Sequence, residues 1–253
     1  MKNPLLCLAN IFLQAPNKES PILNNLSLEV FPGEFIVLVG SNGCGKSSLL
    51  RVINGLLHPN SGTLQLEGKN LLSKSLNERS RSIVTLTQDL NLSTFSDLTI
   101  LENCQIALHR NKKTSFSFSS KKEEKQIKEH LSAYNPSLSE KLHLPVSNLS
   151  GGERQTLGLA MNLWLTPSLL LLDEHTSALD PHMAKKLMKL TSETVIEKKI
   201  TTLVVTHNLE DALQYGTRLI AMNKGRIIAN FPYEEKRKLT HEKLYSLYST
   251  PFS

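Results

Sequence analysis

Phe35-Ile36-Val37-Leu38-Val39 is apolar without a break, and it stops at Gly40-Ser41-Asn42-Gly43-Cys44-Gly45-Lys46-Ser47. A short apolar run with no polar alternation reads as a strand buried on both faces. Glycines then break the strand, and Ser48 to Ile53 reads as a helix. Three similar runs follow: Ile83 to Leu86, Leu169 to Leu172 and Thr202 to Val205. Buried strands separated by helical stretches predict an α/β fold with a parallel sheet and crossover helices.

The flanks read differently. Leu5 to Leu13, Leu23 to Val30 and Ser61 to Gly68 alternate and are broken by Pro, Asn and Gly, which predicts a small antiparallel sheet. Between Asp89 and Leu165 the strand signal fades. Leu101 to His109, Lys121 to Leu131 and Arg154 to Leu165 read as helices, so an α-helical subdomain is inserted in the core. Asn111 to Ser120 reads as exposed, and Lys121 to His130 as a solvated helix face. Met222 to Ile228 reads as a hairpin and Thr240 to Tyr248 as a short helix. The expected organisation is one domain over 1–253. The core with its antiparallel subdomain takes 1–88 and 166–230, the helical part 89–165 and a tail 231–253.

Composition narrows the class. With 40% hydrophobic and 21% charged residues the chain is an ordinary globular one. No apolar run reaches the roughly 18 to 20 residues of a membrane-spanning helix. Met1 to Asn10 reads as a strand, not a secretion signal. Cys7, Cys44 and Cys104 have neither disulfide-framework nor metal-ligand spacing, which fits a reducing cytosol. The formal charge of +6 fits nucleic acid, an anionic membrane face or a surface around a polyphosphate. The chain has no basic stripe interleaved with aromatics, so no nucleic-acid partner is expected.

Gly40 to Ser47 matches G-x-x-x-x-G-K-[ST]. Its glycines let backbone N–H groups turn inward around phosphates. Lys46 would reach the β- and γ-phosphates and Ser47 would bind Mg²⁺, while the helix start favours the anion. A thiol inside that loop predicts that alkylating Cys44 blocks nucleotide binding and that bound nucleotide protects it. Leu169 to Leu172 ends in Asp173-Glu174. Ligands of open α/β sheets sit at strand carboxyl ends. Asp173 would hold the metal through water, and Glu174 would accept the proton of an attacking water. His207, after Thr206, could donate to the γ-phosphate and bridge to Glu174. Gln88 could touch both metal and water. Ser177 to Asp180 reads as a helix start with Pro181 in its first turn.

Leu149-Ser150-Gly151-Gly152-Glu153-Arg154-Gln155 precedes a helix and makes a second anion cradle. One phosphate loop needs no second cradle a hundred residues away unless it serves another nucleotide. The economical arrangement is a head-to-tail pair. Ser150, Gly151 and Gly152 of one subunit would then cover the γ-phosphate held by Lys46 of the other.

These residues, in this order, resemble the ATP-binding subunit of an ABC transporter over nearly the whole chain. The resemblance implies a P-loop NTPase core of RecA-like type, ATP and Mg²⁺ as ligands, and ATPase activity. It adds Ser48 and Asp180 to the nucleotide-binding set. Phe12 is the positional match for the aromatic that stacks on adenine, against a core role for the same side chain. Two departures stand out. Glu153 replaces the commonest Gln, and His175 replaces the usual Pro. The His either alters the site's pH response or shapes the loop. Asp173-Glu174-His175-Thr176, Asn208 and Tyr215 to Ile220 resemble an uncharacterised bacterial importer subfamily, for which aromatic amino acids have been suggested as cargo.

That resemblance implies a second copy or a paralogous ATPase subunit, transmembrane permease subunits and an extracytoplasmic substrate-binding protein. It implies a place on the cytoplasmic face of the cell membrane. The rival is a non-transport ABC ATPase such as a cluster-assembly factor. A kinase or nucleotide switch would leave Ser150 to Gln155 unexplained.

Overall fold

The computed structural model describes residues 3–16, 19–87, 94–109, 120–164 and 166–249. Contacts group the chain into two compact units: 1–85, 168–174 and 195–253 in the first, 86–167 and 175–194 in the second.

The first unit is built on two sheets. β1 (Leu6–Leu13), β2 (Leu23–Val30), β4 (Ser61–Leu66) and β5 (Lys69–Asn70) form an antiparallel sheet of order β2-β1-β4-β5. The second sheet comprises β3 (Phe35–Gly40), β6 (Ile83–Thr87), β7 (Leu169–Asp173), β8 (Thr201–Val205), β9 (Arg218–Asn223) and β10 (Arg226–Pro232). Its order is β10-β9-β3-β8-β7-β6. β8 pairs in parallel with β3 on one side and β7 on the other. β9 runs parallel to β3, and β10 returns antiparallel as the hairpin partner of β9.

The unbroken apolar runs follow from burial on both faces. Ile36, Leu38, Leu169, Leu171, Leu203, Val205, Ile220 and Met222 enter the core shared with Leu6, Leu8, Ile11, Leu26 and Leu64 of the antiparallel sheet. The alternate residues Val37, Leu170, Leu172, Val204 and Leu219 are buried on the other face. A polar residue buried there needs a partner within the protein, as the Thr202 hydroxyl of β8 finds in Ile200 O at 3.0 Å.

α1 (Lys46–Asn54) is nine residues long. A helix of that length is marginal alone. Burial of Leu49, Leu50, Val52 and Ile53 holds it, at about 2 kcal/mol per side chain. Its far end is closed by Arg79 of α2 (Leu76–Arg79), whose Nη1 donates to the carbonyls of Val52 at 2.9 Å and Ile53 at 3.1 Å. α1 is thereby fixed with its N-terminus at the glycine loop.

The second unit is helical: α3 (Ile100–His109), α4 (Lys121–Tyr134), α5 (Pro136–Glu140), α6 (Gly151–Asn162) and most of α7 (Pro181–Glu197). Ile100 and Cys104 of α3, Ile127 and Leu131 of α4, Leu138 of α5 and Leu157 and Ala160 of α6 form one core. The i, i+4 pairs Ile100–Cys104 and Ile127–Leu131 put one face of each helix inward.

α8 (Leu209–Gln214), α9 (Tyr233–Lys236) and α10 (His241–Ser249) complete the first unit. Lys236 is buried, and its ammonium donates to the carbonyls of Tyr215 and Gly216, which end α8. Burial pushes its pKa down from 10.5 to about 8. Between those values the unfolded chain binds the proton that the folded chain has released. Stability contributed at this position therefore rises as pH climbs from about 8. Lys236→Met should lower stability by about 1–3 kcal/mol, by leaving two carbonyls short of a donor. The gap between parent and variant urea midpoints should widen from pH 7.5 to pH 10; a constant or narrowing gap contradicts the assignment.

Candidate functional site: a phosphate loop facing two carboxylates

Parallel pairing of β3, β8 and β7 puts three strand ends side by side. Leu38 and Asp173 both pair with Val205. One residue past Asp173 is Glu174, two past Val205 is His207, and two past Leu38 is Gly40. The ladder continues into the turn, with Glu174 N–H donating to Val205 O at 3.1 Å.

The loop can form only with glycine at two points. Gly40 has φ 150°, and a Cβ there would lie 2.2 Å from Met222 O. Gly45 has φ 108°, with Ile22 O 2.7 Å from the place of a Cβ. Lys46 is buried, its ammonium donating to Gly40 O at 2.8 Å and Ser41 O at 3.1 Å. The cation is thus held under the loop, within reach of any anion seated in it.

Ser47 Oγ donates to Asp173 Oδ1 at 2.9 Å. Burial pushes the Asp173 carboxyl above its usual range; the Ser47 hydroxyl pulls the other way, and the neighbouring Glu174 charge adds to the rise. A hydroxyl and a carboxylate already in contact, in a place where negative charge is costly, suit a hard divalent cation. Magnesium takes one or two protein oxygens together with substrate phosphates. No group of three or more His, Cys, Asp or Glu suited to a metal occurs among the described residues.

Glu174 has φ 51°, the left-handed region, at about 1 kcal/mol or more for a residue with a Cβ. The turn aims its carboxylate at His207 Nε2, and the two are in hydrogen-bond contact. Asn208 caps α8 through Glu210 N–H at 2.9 Å and pairs its own N–H with Thr206 Oγ1 at 3.0 Å, which fixes the backbone on either side of His207.

A cavity of about 420 Å³ opens here, lined by Asn42, Gly43, Gly45, Lys46, Ser47, Ser48, Glu174 and His207, with Ser20, Pro21 and Ile22 at its edge. Eight of the sequence-predicted residues therefore share one hollow. Ser20 to Ile22 carry no motif and are found only from the fold. Phe12 is half-buried on β1, paired with Ser61, and is not among the lining residues. Gln88 lies outside the described residues.

The second unit holds the other cradle. Ser150 is the N-cap of α6, and Gly151 and Gly152 begin the helix. Ser150 and Gly151 are exposed. Glu153 completes a capping box with Ser150. Burial opposes ionisation of Glu153, but donors from Lys141, Ser150 and Ser137 outweigh it and hold the carboxyl at about 2. Asp180 Oδ1 accepts from the N–H groups of His182 and Met183, both at 3.1 Å, and so caps α7. Gln155 is fully buried, with neither amide atom hydrogen-bonded.

His175 is buried in that unit, 3.3 Å from Thr191 Oγ1. Burial lowers its pKa to about 4, so it is neutral near pH 7.

The ABC transporter family profile matches residues 23–177. The chain belongs to the ABC transporter ATP-binding family. It is 37% identical over 95% of its length to the tyrosine transport ATP-binding protein of Clostridioides difficile (strain R20291), and spans 97% of that protein. It is 35% identical over 90% of its length to the spermidine/putrescine import ATP-binding protein PotA of Mesoplasma florum, of which it spans 61%. Among solved structures it resembles the dimeric ATP-binding cassette MJ0796 bound to ADP and Pi. That match has a TM-score of 0.76 and 25% identity, and covers 90% of this chain and 98% of the other. This ABC ATPase has the P-loop NTPase fold expected from its sequence, and no helix among the described residues is long and apolar enough to cross a membrane.

Cys44 modifies one expectation. The thiol is buried and 3.9 Å from Lys46 Nζ. Burial pushes its pKa up, with Lys46 opposing. Thiolate is the reactive form, so alkylation needs the loop to open. Cys7 is only half-buried. Cys44 should label at least about tenfold more slowly than Cys7, and slower still with ATP. Peptide mass spectrometry of timed labelling checks this; equal rates at the two thiols contradict it.

Proposed function

We propose that this ATPase powers solute import by closing head to tail on a second copy, or on a paralogous subunit, with ATP between them. The observation that supports it is the convergence of Lys46, Ser47, Glu174 and His207 on one cavity, with Asp173 bonded to Ser47, while the signature residues Ser150 to Gly152 belong to a separate unit in which Ser150 and Gly151 are exposed. In this reading residues 1–253 are one ATPase domain, with 89–165 as its helical signature part and 231–253 as a tail.

Lys46 exchanges the Gly40 and Ser41 carbonyls for β- and γ-phosphate oxygens. Backbone N–H groups of Ser41 to Ser48 surround the rest, and α1 presents its positive end. Ser47 and Asp173, with Gln88, would hold Mg²⁺, which when bound offsets phosphate charge. Glu174 takes the proton of the attacking water, and His207 holds that carboxylate in line and donates to the γ-phosphate. The partner's Ser150, Gly151 and Gly152 cover the γ-phosphate, with Asp180 beside them. Once the γ-phosphoryl group is cleaved, the link across the interface is lost and the subunits part. Opening and closing is a population shift set by nucleotide state. Phe12 would contact adenine from β1 of the antiparallel sheet.

The partners in this reading are membrane-spanning permease subunits, which hold the ATPase at the inner face of the cell membrane, and an extracytoplasmic binding protein. Two relatives carry transport or import names. The tyrosine transport relative agrees with an aromatic amino acid cargo, as the importer-subfamily resemblance also implies.

Glu174→Gln should keep ATP binding and reduce phosphate release by about 10²- to 10⁴-fold, the range for loss of a general base. The variant should accumulate as an ATP-bound dimer, seen as a doubling of mass by light scattering. A variant that stays monomeric at saturating ATP and Mg²⁺ defeats the closure.

A further inference from the structure

Among the described residues four helices start with Ser/Thr-x-x-Glu: α2 at Ser75, α3 at Thr99, α4 at Ser120 and α6 at Ser150. In α2, α3 and α6 the glutamate carboxylate reaches back to the N–H of the capping residue. Such boxes stabilise helix starts and need no other purpose.

In α2 a lysine likewise holds the other oxygen, Lys74 Nζ donating to Glu78 Oε1 at 3.0 Å; the α6 box differs in where it stands and in the second donor, Ser137, beside its lysine. Glu153 Oε1 accepts from Lys141 Nζ at 2.6 Å and Ser137 Oγ at 2.9 Å, both supplied by α5 and its end. Its Oε2 accepts from Ser150 N–H and Ser150 Oγ, both at 3.1 Å. A carboxylate can only accept. The hydroxyl proton of Ser150 therefore points at Glu153, inside the cradle meant for a phosphate.

We infer that the Glu153 carboxylate is an internal competitor for the anion cradle of α6, and that Lys141 is the positioning residue that sets the strength of that competition. The inference rests on the reading that Ser150 to Gly152 receive a partner's γ-phosphate. The positive end of α6 serves one negative charge best. The carboxylate occupies it first and repels the second. Lys141 cancels most of that charge, so an arriving phosphoryl group meets a nearly neutral pair. Glutamine at 153 would keep the box and carry no charge. With its amide oxygen in the place of Oε2 it would still accept from Ser150 N–H and the hydroxyl, without the negative charge.

The test follows ATP-driven dimerisation by light scattering in a Glu174→Gln parent, with binding of a fluorescent ATP analogue to the monomer as the reference. Lys141→Met should raise the half-saturating ATP concentration for dimerisation about tenfold, and Glu153→Gln should lower it about threefold, as like-charge juxtaposition at an interface expects. Lys141→Arg should stay within about twofold of the parent, since it keeps the charge. The double variant Lys141→Met/Glu153→Gln should match Glu153→Gln alone, and monomer affinity should not move. A plain helix-capping role predicts instead that the double variant is the weakest. If Lys141→Met does not fold, Glu153→Gln still decides, because an unchanged or raised midpoint overturns the inference. A parent that dimerises with a midpoint indifferent to both residues overturns the inference alone. A parent that stays monomeric overturns the dimer reading and the inference with it.

Discussion

Parallel hydrogen bonding of β8 between β3 and β7 is the constraint on which the site depends. Parallel neighbours end at the same edge of a sheet, so the groups that follow each strand are brought together whatever their separation in sequence. Lys46, Glu174 and His207 are far apart along the chain and line one cavity because Leu38, Val205 and Asp173 share a register. A one-residue slip of β8 would move His207 away from Glu174. The parallel ladders to β3 on one side and β7 on the other both oppose that slip, so the pairing that builds the sheet also sets the geometry of the site.

Electrostatics at that edge is arranged as two opposed halves. Lys46 and the start of α1 supply positive charge on one side. Asp173 and Glu174 supply negative charge on the other, and burial makes the Asp173 carboxylate costly. A triphosphate with a divalent cation complements both halves at once. The same logic recurs at α6, where Glu153 and Lys141 already form a balanced pair.

Much of this was legible in the sequence, for physical reasons that differ by element. β3, β7 and β8 were readable because strands buried on both faces are nearly continuous in apolar residues, and β6 because Ile83, Val84 and Leu86 are apolar and buried. The loop residues were readable because backbone that wraps an anion needs glycine, and Gly40 and Gly45 sit where a side chain would meet backbone oxygens. Other features depend on contacts between distant segments. Pro21 and Ile22 border the cavity through the packing of the antiparallel sheet and carry no pattern of their own. Lys236 reads as an ordinary surface lysine until α9 is seen to seal the end of α8. The reach of Lys141 to Glu153 depends on how α5 packs on α6. Membership of a loop says nothing of exposure, so the burial of the Cys44 thiol was not legible either.

The left-handed backbone at Glu174 has an evolutionary consequence. A glycine there would relax the main chain while deleting the proton acceptor. Selection for sturdiness alone would erode turnover at this site before touching the scaffold. The proposed base thus occupies a position where robustness and chemistry pull in opposite directions.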